Sequence, residues 1–203
     1  MQEEIQDLET TRQNILRRAP TNENVWVVAT EYFRLFRHGY MAPVLVGSES
    51  SSLFPRPKHE SHTQLDFLKA TMAHDVTDGV VCGPEALLEN WKLVSQYGGD
   101  VNFQLKRLEQ VATDSLLATT RTSVTVTANT KLLNKRLVLR GSVRFDWDQS
   151  MGRVTRHEST VDLLTPLLEL LGNLKDVAVV FDKALMTLEG KFLSKCSNTV
   201  AFN

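Results

Sequence analysis

The chain has 203 residues, 42% hydrophobic and 23% charged, so it can bury a sizeable core and is not a disordered polypeptide. Its net charge of −1 removes any global attraction to nucleic acid or an anionic membrane, and the absence of an apolar h-region or a membrane-length apolar run argues against export or insertion. Two cysteines, Cys82 and Cys196, make neither a disulfide framework nor a metal site and point to a reducing compartment, the nucleus or cytoplasm.

In chain order, Met1, Ile5, Leu8, Arg12 and Ile15 follow alternating steps of four and three, a heptad seam, and Arg17-Arg18 falls where a helix C-terminus favours positive charge. This seam is either the end of a zipper or the apolar stripe of an amphipathic helix resting on its own domain. Pro20 stops it, and residues 1–19 form one unit. Thr21-Asn22 is expected to cap a second helix, with Glu23 and Asn24 in its first turn and Trp26, Val27, Ala29, Phe33 and Phe36 on its apolar face. Residues 41–62, rich in serine and proline, read as a long surface loop, either a lid or a tolerated insertion. A short helix follows from Leu65 to Met72, then an extended piece, Val76 to Cys82. Gly83-Pro84-Glu85 opens the next helix, which carries Leu87, Leu88, Trp91 and Val94 and ends at Gly98-Gly99.

From there the chain reads as strand: Val101 to Val111, Leu116 to Thr127, and Leu137 to Trp147, where Leu137, Leu139, Gly141, Val143, Phe145 and Trp147 alternate with Arg140, Ser142, Arg144 and Asp146. Period two over this length is a strand buried on one face. Asp148 to Gly152 is turn-like, and Arg153 to Leu164 returns as the second arm of a hairpin. Thr165-Pro166 caps a leucine-rich helix broken at Gly172-Asn173, a further helix follows, and residues 189–203 are expected to be a loose polar tail. Helices first and four hairpin-connected strands afterwards indicate an α+β domain over residues 20–188, with helices packed on one face of a curved antiparallel sheet.

The order helix, helix, short strand, helix, long strands resembles the nuclear-transport-factor-2-like cone, a class that includes polyketide cyclases, steroid isomerases and domains without enzymatic activity. Four blocks resemble water-mould basic leucine-zipper proteins, in which a DNA-binding zipper precedes such a cone: Asn22 to Tyr40, Ala118 to Thr127, Leu139 to Trp147 and Asp162 to Asn173. A zipper that reads DNA needs a Lys/Arg-rich helix ahead of its seam. Here Gln2-Glu3-Glu4 stands at the seam's start, so direct DNA binding by this chain is not expected.

If the hairpin pairs about Ser150, Val143 lies opposite His157 and Leu139 opposite Val161. One face then carries the apolar side chains with His157 as its main polar member. The other carries Arg140, Arg144, Arg156, Glu158 and Asp162, suited to cross-strand pairing, to a homodimer interface or to an anionic ligand. Together with the N-terminal helix, this outer face is the expected dimer contact. A neutral imidazole inside a cone can serve as a general base, and cones of this kind often use an Asp/His pair, so Asp75 with His157 is the nominal dyad, with His74 and Asp78 as other partners. The alternative is a hydrogen-bonded core histidine. Tyr32, Tyr40, Trp91, Val143 and Phe145 are candidates for the pocket wall. His59 and His62 stand three apart in a loop without further ligands, so no metal is expected, and no cofactor motif is present. The expected function is a non-enzymatic regulatory or dimerisation domain that takes a small apolar ligand. The alternative is a small lyase, isomerase or hydrolase of the polyketide-cyclase-like type.

Overall fold

Four long alternating runs make most of the main sheet, and the three helices described ahead of them supply the apolar surface that covers one part of it. The computed structural model describes residues 24–46, 59–127, 132–182 and 186–191. Its elements are helix α1 (Val25–Leu35), strands β1 (Val44–Val46) and β2 (His59–Ser61), helix α2 (Thr63–Thr71), strand β3 (Met72–Thr77), helix α3 (Pro84–Tyr97), strands β4 (Gly98–Ala112), β5 (Ser115–Val126), β6 (Arg136–Asp148) and β7 (Arg153–Asp162), and helices α4 (Leu164–Leu171) and α5 (Leu174–Phe181). The heptad helix expected over residues 1–19 lies outside the described residues, as does the tail beyond Lys191.

The main sheet has the order β3-β7-β6-β5-β4. Strands β4 to β7 form the expected antiparallel meander, but β3 joins its edge in parallel with β7, so the sheet is mixed. The Arg153 guanidinium reinforces that edge by donating to the carbonyls of Lys69 and Met72, at 2.7 and 2.8 Å. Curvature enters at irregularities in β4 and at Asp146/Trp147. Gly141 contributes at the centre of the sheet. A Cβ there would stand 2.5 Å from the Thr160 carbonyl oxygen, so only glycine lets β6 and β7 approach that closely.

Three local expectations change. The cap of α1 is Asn24, whose backbone is extended and whose Oδ1 accepts from Val27 N at 3.0 Å. The buried face follows the helical spacing Val25, Val28, Ala29, Tyr32 and Phe33, which leaves Trp26 and Val27 exposed. The ends of the serine- and proline-rich segment are zipped together, because Val44–Val46 pairs antiparallel with His59–Ser61. The extended piece begins at Met72 rather than Val76, which places His74 and Asp75 on β3.

Two apolar clusters result. Phe33, Phe36, Phe67, Leu68, Phe103, Leu116, Val143, Phe145 and Val154 belong to the first, which α1, α2 and α3 close over the concave face. Buried Gln64 ties this cover together: its amide donates to the Leu35 and Gly39 carbonyls at 3.0 and 2.8 Å, and its Oε1 accepts from Met41 N at 2.9 Å. The second cluster is aliphatic and joins Leu132, Leu137 and Leu139 to Leu163, Leu167 and Val177 under α4 and α5. Gly172, in the left-handed conformation at φ 78°, ends α4, and Asn173 caps α5 by accepting from Asp176 N at 2.8 Å.

Candidate functional site: an apolar cavity with an unpartnered histidine

The residues of β6 and β7 that face inward are set by alternation, and their partners by register. Phe145, rather than Val143, lies opposite His157, and Val143 lies opposite Ser159. From Arg140 to Asp146 the pairing is displaced by two residues from a hairpin centred on Ser150, which with a period of two leaves the side chains on their expected faces. Past the irregularity at Asp146/Trp147 the displacement is one residue, and Val154, expected on the outer face, is buried in the aromatic cluster. Opposite the sheet, Tyr32 descends from α1 and Asn90 and Trp91 from α3, while Asp78 stands just beyond β3. Between them and the aliphatic cluster lies a cavity of about 660 Å³. Tyr32, Asp78, Asn90, His157, Ser159 and Lys191 form one polar wall, Tyr97, Thr122 and Asp182 line the cavity elsewhere, and the remaining lining is largely aliphatic, from Leu137, Leu139, Leu163 and Leu167 among others.

His157 is 4% exposed and sits between the rings of Tyr32 and Phe145, with centroids 4.6 and 5.1 Å away. Neither ring nitrogen has a hydrogen-bond partner among the described residues. Burial pushes the imidazole down to a pKa of about 4, against a smaller opposing pull from Asp78, so it is neutral near pH 7. A neutral imidazole carries one donor and one acceptor, and leaving a buried polar group unmade costs about 1–3 kcal/mol. Tyr32 is better provided for. Its hydroxyl oxygen accepts the Trp91 indole N–H at 2.7 Å, and burial raises its pKa well above the usual phenol value.

The sequence candidates separate on this geometry. Asp75 is exposed beside His74, its carboxylate 3.8 Å from the His74 ring nitrogen, and it does not line the cavity. Among the described residues, Asp78 and Asp182 are the carboxylates that line the cavity, and the one that acts electrostatically on His157 is Asp78. Its Oδ1 accepts from Val80 N and Val81 N, both at 2.8 Å, and its Oδ2 from Asn90 Nδ2 at 3.3 Å. Tyr32 and Trp91 line the cavity, whereas Val143 and Phe145 lie in the aromatic cluster behind it. Tyr40 packs at the edge of that cluster, against the His62 ring at 5.3 Å. Asn90, Ser159 and Lys191 escaped sequence reasoning. The Asp78-Gly79 pair, a turn signal after a strand, was the one local hint to this corner.

On the convex face, Arg140 stands opposite Asp162 and Arg144 opposite Glu158. Their closest ion pairs nevertheless run along the strands. Arg144 Nε donates to Asp146 at 2.7 Å, and Arg156 to Glu158 at 2.7 Å. Glu158 also accepts from Lys191 Nζ at 3.0 Å, and these two cations hold its carboxyl below the usual range, Lys191 contributing most. Asp162 is held low mainly by hydrogen bonding from Thr165, with a smaller contribution from Arg140. Arg121 and Arg140 face each other across β5 and β6, both exposed.

Comparison with known proteins follows the same division between sheet and helices. Residues 26–97, which run from α1 to the end of α3, match the C-terminal domain of BZIP transcription factor 1. No curated protein matches the chain. Among solved structures, a SnoaL-like polyketide cyclase from Agrobacterium tumefaciens superposes with a TM-score of 0.53 at 15% identity, covering 74% of this chain and 99% of that one. An LEH-like epoxide hydrolase from M. tuberculosis gives 0.39 at 17% identity, over 58% and 84% of the two chains. A protein with a ketosteroid isomerase-like fold from Catenulispora acidiphila gives 0.43 at 12%, over 56% and 86%. Among the described residues, no helix is long and apolar enough to cross a membrane. The chain has the nuclear-transport-factor-2-like fold of the SnoaL-like polyketide cyclases, and its helical half is similar to the C-terminal domain of a basic leucine-zipper transcription factor.

Proposed function

We propose that the domain is a regulatory module that takes a small apolar molecule into its cone and associates with a second copy through the convex face. The observation that carries the ligand reading is the cavity of about 660 Å³ between the aromatic and aliphatic clusters. Sites for small molecules commonly have about 300–1,000 Å³, apolar walls and a few convergent polar groups, and this one has all three. The match of residues 26–97 to a transcription-factor C-terminal domain supports a regulatory rather than a metabolic role. An Asp/His mechanism has less support, because a working dyad requires a base oriented by its carboxylate. Among the described residues the His157 nitrogens have no partner, and the Asp78 carboxylate is occupied by the turn that follows it and by Asn90.

Nile red, a neutral dye whose emission rises in apolar surroundings, tests the ligand reading. It is expected to bind the full chain and to lose binding when Leu139→Trp fills the cavity. Dye binding that is absent, or unchanged in that variant, would overturn the reading. For self-association, Arg121 and Arg140 form a cationic centre beside the anionic Glu158 and Asp162, an arrangement that a two-fold-related copy can complement. Light scattering across micromolar concentrations should show a dimer that weakens in Arg140→Glu; a strict monomer removes this part of the proposal.

A further inference from the structure

We infer that the molecule taken up by the cavity is neutral and mainly apolar and carries a hydroxyl group, seated against the His157 imidazole and the Tyr32 phenol. This rests on the ligand reading above and adds the chemistry of the head group. Other buried polar side chains have partners: Gln64 has three, and Thr71 donates to the Phe67 carbonyl at 2.8 Å. Among the described residues, buried side-chain atoms without a partner occur at His62, Thr120 and His157, and of these three residues His157 alone lines the cavity, with both ring nitrogens unmatched. Its neutral ring offers one N–H and one lone pair, and a hydroxyl is the smallest group that both accepts and donates. Tyr32 adds a donor on the same wall. With its oxygen taking the Trp91 N–H, its own proton is available to a ligand oxygen.

Charge on the cavity wall argues against an ionised head group. Asp78 acts electrostatically on both His157 and Tyr32, so the potential around them is negative and repels an anion. The cation on the same wall, Lys191, is engaged by Glu158 at 3.0 Å and by the Asp78 carbonyl at 3.2 Å. A cation would meet Asp78 with three donors already on its carboxylate and would give up its hydration to aliphatic walls. Beyond the polar wall, Val124, Leu137, Leu139, Leu163 and Leu167 offer only hydrocarbon.

Four probes with one ring system separate these cases: 2-naphthol, 2-methylnaphthalene, 2-naphthoate and 2-naphthylmethylammonium, titrated calorimetrically into the full chain at pH 7. The neutral alcohol is expected to bind about tenfold more tightly than the hydrocarbon and more tightly than either ion. His157→Leu should bring 2-naphthol to the affinity of 2-methylnaphthalene, while His157→Gln, which keeps a donor and an acceptor, preserves the preference. Tyr32→Phe should weaken 2-naphthol several-fold and leave 2-methylnaphthalene unchanged. Equal binding of alcohol and hydrocarbon, or tightest binding of an ion, overturns the head-group assignment and leaves the cavity reading standing. Failure of all four probes to bind overturns the cavity reading and this inference with it.

Discussion

The two apolar clusters share strands β5, β6 and β7 yet are packed to different ends. In the aromatic one, Phe36, Leu68, Met72, Phe145 and Val154 are completely buried, and rings from α1, α3, β4 and β6 interlock at centroid separations of 4.7–6.4 Å. In the aliphatic one, Leu137, Leu139, Leu163 and Leu167 are almost as buried but border space on one side. The difference lies in what covers the sheet. Beneath α1 to α3, large flat side chains fill the volume. Beneath α4 and α5, each helix buries only a single leucine or valine and leaves Leu168, Leu170, Leu174 and Val179 facing outward. Burial from water and close packing are therefore separate achievements, and the second is missing where a ligand would sit.

Substitutions can break or sharpen that contrast. The largest effect is expected for Phe145→Ala, which removes a ring touching Tyr32, Phe33 and His157; a loss of about 3–5 kcal/mol in denaturant unfolding follows from the void it leaves. Acidification comes next. Folded His157 has a pKa of about 4, below its ordinary 6.5, so between these values the unfolded chain binds a proton that the folded one refuses. Stability is therefore retained above pH 6.5 and lost as the pH falls through this window, by up to roughly 3 kcal/mol, and His157→Leu should flatten the curve there. Glu158 and Asp162, whose carboxyls are held low, add their own loss at still lower pH.

Leu139→Ala should cost less than Phe145→Ala, about 2 kcal/mol, because the leucine already borders unfilled space and gives up fewer contacts. Equal costs in the two variants would mean that the hollow is closed in solution and that the contrast is false. The smallest effect is expected on the convex face. Arg144→Ala should leave the unfolding midpoint at low protein concentration essentially where it is, since its ion pair with Asp146 is exposed. A larger effect that grows with protein concentration would place Arg144 in the dimer contact.

Much of this architecture was legible in the chain. Leu137 to Trp147 alternates in a way only a half-buried strand explains, Gly172-Asn173 breaks and restarts a helix as expected, and the β6–β7 pairing differs by two residues from Arg140 to Asp146 with the faces kept, the irregularity at Asp146/Trp147 then turning Val154 inward. The candidate site was less legible. His157 was identified by its alternation with charged neighbours, but Asp78 rather than Asp75 accompanies it, since β3 begins at Met72 and carries Asp75 outward. Val143 and Phe145 had the right face but sit behind the cavity, in a cluster whose depth depends on the helices above. Trp26 and Val27 have the composition of core residues but lie off the stripe Val25, Val28, Ala29, Tyr32 and Phe33 that α1 buries.

By itself the sequence determined the elements, their order and the side of each strand that meets the core. Those properties depend on neighbours two to four positions apart, and the free energy of burying an apolar stripe enforces them locally. The tertiary structure alone decided that Tyr32, Asp78, Asn90, His157 and Lys191 meet on one wall. These residues come from a helix, a turn, a second helix, a strand and a later turn. Their meeting depends on register, on the parallel docking of β3 and on the curvature that Gly141 permits, none of which leaves a short-range trace. The hollow is hidden for the same reason. An aliphatic side chain facing a cavity and one facing a packed neighbour have the same alternation, and only the helices laid over them decide which it is.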